Sequence, residues 1–142
     1  MLTEGDGLPL AVAVTGANVH ELKVALPVVD RVRVARRRGR AKQRPTTLAA
    51  DRGYDSRALR QALLRRGIQP SIPQRVWPGR RRRRGRPPKV HAASRQRWKV
   101  ERTHAWLDNW RRLVTRYERH DHVYLAFLII ACLMICSRRI LG

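Results

Sequence analysis

Acidic residues are scarce here: 10 Asp and Glu stand against 32 Lys and Arg in 142 residues, leaving a formal charge of +22. A surplus of that size repels itself in a compact state and draws polyanions through counterion release, so DNA, RNA or an anionic membrane is the expected partner. Cysteine is nearly absent too. Cys132 and Cys136 lie one helical turn apart in an apolar segment, without the further Cys or His that a structural zinc site needs, and read as buried reduced thiols. Long apolar runs are limited to Val123 to Cys136, which falls short of the ~20 residues that span a bilayer and fits a buried core helix. Met1 to Asp6 is polar and acidic, unlike a secretory signal, so the expected location is the cytoplasm. No membrane role is expected, and no internal repeat is present. The length allows one domain around a single core.

What is abundant is arginine, and it is clustered. Arg31 to Arg44 and Arg75 to Lys89 hold 16 of the 32 basic residues. Neither stretch has hydrophobic periodicity, and Arg80, Arg81, Arg82, Arg83 and Arg84 read as an extended loop. A charge run by itself is as compatible with a solvated tether as with phosphate contact. Two runs flanking a folded segment favour a phosphate backbone.

Outside the runs' centres the pattern is α/β. Gly5-Asp6-Gly7 sits between Leu2-Thr3 and the apolar run Leu10 to Val14, a hairpin signal. The first arm is short, which implies sheet residues upstream of Met1. His20 to Val34 carries Leu22, Leu26, Val29 and Val32 at helical spacing, with Pro27 expected at a helix start. Thr46 to Ala50 is β-prone and ends at Asp51. A helix capped by Ser56 carries Leu59, Ala62 and Leu63 and stops at Gly67, and Ile68 to Ile72 follows as a strand. Strand, helix, strand in this order marks a parallel unit. Past the basic loop at 76–91, one long helix is expected over Ala92 to Tyr117 and another over Val123 to Ile140. The expected organisation is one partial domain, with sheet and helices over 1–75, the loop at 76–91, and a helical pair over 92–142.

Two acids stand out. Asp51 closes a predicted strand at the sheet edge where open α/β sites gather, although an Asp ahead of Gly53 also serves a turn for purely local reasons. Glu101 shares a helix face with Arg97, His104, Asp108 and Arg112 at spacings of three and four, opposite an apolar face of Val100, Thr103, Trp106, Leu107, Trp110, Leu113 and Tyr117. A surface ion-pair ladder is the plainer explanation. Glu101 lies C-terminal to Arg97, the weaker orientation for such a pair.

Ala50-Asp51-Arg52-Gly53-Tyr54-Asp55 followed by a helix resembles the second-aspartate motif of DDE-class bacterial insertion-sequence transposases. Arg97 to Leu107, with Arg111-Arg112-Leu113 and Arg116-Tyr117-Glu118 beyond it, resembles the glutamate helix of that family. Thr15 to His20 and Ala126 to Ala131 are similar as well, so the resemblance covers nearly the whole chain. It implies a truncated ribonuclease H-like mixed sheet with flanking helices and a C-terminal helical pair. It implies metal-dependent DNA cleavage and strand transfer, with Asp51 and Glu101 as catalytic metal ligands for two Mg²⁺ ions ~3.5–4 Å apart. DNA contacts would fall to Arg97, His104, Arg111, Arg112 and Arg80 to Arg84. Transposon ends and target are the implied DNA partners, with a homo-oligomer on DNA and an upstream-encoded N-terminal segment as further candidates.

The chain departs from the family pattern in three ways. The first aspartate belongs upstream of a hairpin like that at Gly5 to Gly7, and Asp6 in the turn is a poor substitute. Ser94 and Asp108 stand where the family has a tyrosine and a basic residue. The family's N-terminal helical region has no counterpart here. The expected fragment is therefore inactive alone. A non-catalytic nucleic-acid-binding remnant is the alternative, and a ribosomal-type RNA binder explains the charge but not the two acids.

Overall fold

A computed structural model describes residues 1–75 and 97–142. The loop at 76–91 with Arg80 to Arg84, the position of Ser94, and the start of the helix expected from Ala92 lie outside the described residues. The chain divides into two compact units, Met1–Gln43 together with Trp98–Gly142, and Arg44–Arg97.

In the first unit, β1 (Leu2–Thr3) pairs antiparallel with β2 (Pro9–Ala11), so the expected hairpin is formed. Its turn closes through Gly7 N–H to Glu4 O at 3.0 Å and Glu4 N–H to Leu8 O at 2.9 Å. Gly7 sits at φ +90°, which L side chains rarely adopt. The helix α1 spans Glu21–Asp30, and its N-cap is His20, whose Nδ1 accepts from the Leu22 N–H at 3.2 Å. Pro27 therefore lies inside α1 rather than at its start. Val28, Val29 and Val32 are buried. Beyond α1, Val34 and Lys42 exchange two backbone hydrogen bonds at 2.8 Å, closing the first basic stretch into a loop.

The single helix expected to run to Tyr117 is instead broken into α3 (Trp98–Leu107) and α4 (Arg111–Val114). Asp108 and Asn109 are weak helix formers. The Asn109 amide donates to Trp106 O at 3.3 Å, and Trp110 turns extended at φ −99°, ψ 102° while its N–H bonds back to Leu107 O at 3.0 Å. The break removes Tyr117 from the apolar face, and it is 74% exposed. Helix α5 spans Asp121–Leu141 and packs Ala131 and Cys132 against Leu107, with Met1, Val12, Trp110, Leu113, Leu128 and Ile135 around them. Tyr124 ties the two elements by donating its hydroxyl to Leu113 O at 2.9 Å.

The core-helix expectation for α5 holds on that face only, because Ile130, Leu133, Ile140 and Leu141 are exposed. The helix has 21 residues and is long and apolar enough to cross a membrane by length and composition alone, a test that core helices of globular proteins also pass. The cysteines are free, as expected. Burial pushes the Cys132 thiol up, with Cys136 beside it adding to the effect, and burial does the same to Cys136.

The second unit is the expected strand, helix, strand motif. Strand β3 (Thr47–Ala49) pairs parallel with β4 (Gln69–Ser71), with Thr47 opposite Gln69, Leu48 opposite Pro70 and Ala49 opposite Ser71. Between them α2 (Arg57–Arg65) turns Leu59, Ala62 and Leu63 inward, and Leu48, Ile68 and Ile72 are buried with them. Each such aliphatic side chain contributes about 1.5–3 kcal/mol on burial. Gly67 ends α2 at φ +71°, with Gly67 N–H bonded to Leu64 O at 2.9 Å and Ile68 N–H to Leu63 O at 3.0 Å. This is the two-bond Schellman closure with its apolar contact, since Leu63 and Ile68 are both fully buried. The α/β class is thus realised, and among the described residues the strands form two separate two-stranded sheets.

Candidate metal and DNA site

Asp51 follows β3 at the C-terminal edge of the parallel pair, where side chains of the next turn point out of the sheet. The turn is a single 3-10 helix, Arg52–Tyr54, with Asp51 at one end and Asp55 at the other. The Asp51 carboxylate accepts from the Arg52 N–H at 2.5 Å and pairs with the Arg97 guanidinium at 3.2 Å, while remaining exposed. Arg97, expected on DNA, is thus turned to one of the two candidate metal ligands, and these are the site residues the structure brings together.

Asp55, which sequence reasoning had passed over as part of a motif, is more deeply placed. One oxygen accepts from Arg60 Nε at 2.9 Å and the other from the Arg75 N–H at 2.6 Å. Arg60 also donates to Ile72 O at 2.7 Å. Burial alone would raise the Asp55 carboxyl, but the Arg75 amide and the Arg60 guanidinium outweigh it and hold it below the usual carboxylate range. The one local signal was an acid followed by an arginine five residues on across a helix start, which is too common to single out.

In the other unit Glu101 stands on α3 with an exposed side chain that makes no hydrogen bond or ion pair to another described residue. The same helix is clasped by the hairpin turn. Lys99 Nζ donates to Gly5 O at 2.5 Å and pairs with Asp6 at 3.2 Å, Arg102 donates to Asp6 O at 2.6 Å, and the fully buried Thr103 donates to Gly7 O at 2.5 Å. Arg102 also lies over the Trp98 ring at 4.9 Å and the Trp106 ring at 4.8 Å. Asp6 thereby acts as an anchor for the helix that carries Glu101.

His104 lies one turn beyond Glu101. Desolvation pushes its pKa down, the Met1 ammonium adds to this, and Asp108 opposes it. That direction favours the uncharged imidazole, which can hydrogen-bond a phosphate without bringing charge to it. Arg111 is exposed at the start of α4. Arg112 pairs with Glu118 at 3.2 Å and lies over the Phe127 ring at 5.2 Å, so the break after Leu107 separates it from the Glu101 face.

Asp51 and Glu101 each present exposed carboxylate oxygen, the hard donor that divalent cations such as Mg²⁺ take. Among the described residues no three His, Cys, Asp or Glu are grouped to hold a metal ion. The donor chemistry fits a divalent cation, and the donor set within each unit is incomplete.

An acid at the end of a parallel strand, a second acid on a basic helix and a large positive charge are carried here by a protein of the α/β class. Residues 1–136 match the family described as Transposase DDE domain, and the chain belongs to that family, the DDE-class insertion-sequence transposases. It is 43% identical over 137 residues to the "Putative transposase for insertion sequence element IS402" of Burkholderia cepacia, an alignment covering 96% of this chain and 60% of that relative. No solved structure matches.

Proposed function

We propose that residues 1–142 are part of the ribonuclease H-like catalytic domain of a DDE transposase that cleaves and joins DNA with divalent metal. The observation that carries this reading is Asp51, an exposed carboxylate at the outgoing edge of a parallel strand, in a turn pinned at its far end to the chain just past β4. Family membership supplies the reaction class, and the relative's additional length leaves room for a first aspartate outside these residues.

On this reading Asp51 and Glu101 would each be metal ligands, and divalent metal, when bound, would supply activation of the attacking oxygen and charge stabilisation of the leaving oxygen. Arg97 neutralises Asp51 until a scissile phosphate arrives and then turns its guanidinium to that phosphate, whose two non-bridging oxygens it can meet bidentately. His104 hydrogen-bonds adjacent backbone. Arg111, with Arg80 to Arg84 and the rest of the basic surplus, tracks flanking DNA, while Arg112 contributes through its exposed face. The protein works in the cytoplasm on transposon ends and target, as a homo-oligomer on DNA, completed by an upstream-encoded segment.

A non-catalytic DNA-binding remnant is the second reading, favoured by the Arg97–Asp51 pair and by the incomplete donor set. The two separate in one assay. The chain is fused or co-expressed with the upstream segment, and nicking at the element's ends is followed with and without Mg²⁺, beside Asp51→Asn and Glu101→Gln. Nicking that needs the metal and both carboxylates supports the enzyme. DNA binding with no metal-dependent product supports the remnant.

A further inference from the structure

We propose that Asp55 and Arg60 form a positioning clamp that holds Asp51 in its metal-binding pose, an inference that rests on the metal-ligand reading of Asp51. A strand-end turn of five residues, 51 to 55, is anchored on its incoming side by β3 and leads on its outgoing side through Ser56 into α2. Asp55 closes that side. Its two oxygens reach separate elements, α2 through Arg60 at 2.9 Å and the chain just past β4 through the Arg75 N–H at 2.6 Å. The second nitrogen of Arg60 reaches Ile72 O at 2.7 Å, so the guanidinium bridges the turn, the helix and the strand end.

The clamp is half-sheltered where Asp51 is open: the Arg60 and Asp55 side chains are 27% and 18% exposed, against 58% for Asp51. Charge-assisted bonds of this kind are stronger than neutral ones and lose more when one partner is removed. Within the turn, Tyr54 N–H to Asp51 O at 3.0 Å and Asp55 N–H to Arg52 O at 3.1 Å pass the fixed end's position back to Asp51. Asp55 and Arg60 act through Asp51 and are not themselves metal ligands in this proposal.

The two members of the clamp carry opposite charges, which makes the proposal separable from simple electrostatics. Losing Asp55 removes a negative charge and would weaken any nearby cation site by charge alone. Losing Arg60 removes a positive charge and by charge alone would tighten it. Positioning predicts weakening in both cases.

The test measures Mn²⁺ binding to the 142-residue chain by electron paramagnetic resonance, for wild type, Asp51→Asn, Asp55→Asn and Arg60→Gln, with circular dichroism confirming the fold. The expected result is loss of the site in Asp51→Asn and roughly tenfold weaker Mn²⁺ binding in both clamp variants, a change of about 1.4 kcal/mol. Arg60→Gln binding Mn²⁺ as tightly as wild type, or tighter, overturns the clamp while leaving Asp51 as a ligand. Binding untouched by Asp51→Asn overturns the metal reading and the clamp with it. If Asp55→Asn fails to fold, Arg60→Gln decides alone, and Arg60→Lys, which keeps the charge but not the fork, must reproduce its loss.

Discussion

Replacing Gly7 by alanine probes the joint between the hairpin and the helix that carries Glu101. At φ +90° an added Cβ is strained whatever the space. That conformation costs an L-residue about 1–2 kcal/mol. The Cβ would also stand 3.1 Å from the Arg102 guanidinium, 3.1 Å from the Thr103 hydroxyl and 3.2 Å from Lys99 O. Arginine can swing aside, but Lys99 O is helix backbone and Thr103 is fully buried, its hydroxyl held between Gly7 O and Lys99 O. Relief therefore requires the turn to lift, weakening the bond to Gly7 O, and losing a buried hydrogen bond costs about 1–3 kcal/mol. The expected destabilisation is about 2–4 kcal/mol, read from urea denaturation at constant m-value. Thr103→Val should cost about 1–3 kcal/mol, and the double variant less than the sum because both lose the same joint. A Gly7→Ala protein within about 0.5 kcal/mol of wild type, or strictly additive behaviour, would refute the docking of turn on helix.

Leu63→Ala, at a fully buried position, should cost about 2–5 kcal/mol by denaturation, while Glu101→Gln, at an exposed and unpaired one, should change stability by less than about 0.5. The depressed Asp55 carboxyl contributes stability above the ordinary carboxylate pKa that is lost as pH falls through its lowered folded value, so the gap between wild type and Asp55→Asn in thermal melts should narrow steadily below about pH 4. Changing Arg80 to Arg84 to Gln should flatten the log affinity against log salt plot for DNA by about 0.9 for each phosphate no longer neutralised, and an unchanged slope would make that run a solvated tether.

Local signals carried the elements whose boundaries are set locally. The Asp-Gly turn announced the hairpin, and Gly67 announced the end of α2 because only glycine closes that turn without strain. Alternating strand, helix and strand patterns announced the parallel unit. The break after Leu107 was hidden because the apolar positions continue in phase through Trp110 and Leu113, while the interruption comes with an Asn109 side chain bonding back to the Trp106 carbonyl. Pro27 was misplaced because His20, an uncommon N-cap, started the helix upstream. At the site, Asp51 and Glu101 were legible through long motifs in order, since each acid alone is ordinary. Their supports were not legible. Thr103 meets Gly7 across 96 positions and Asp55 meets Arg75 across 20, and no local pattern encodes such pairings.

On the proposed reading Asp51 and Glu101 are both ligands of divalent metal. Loading the chain with Fe²⁺ in place of Mg²⁺ and adding ascorbate and peroxide generates hydroxyl radical at the bound ion, which cuts nearby backbone. The account predicts cuts clustered around residue 51, lost in Asp51→Asn, and around residue 101, lost in Glu101→Gln. Cuts confined to one of the two segments, or a pattern unchanged by both substitutions, would contradict it.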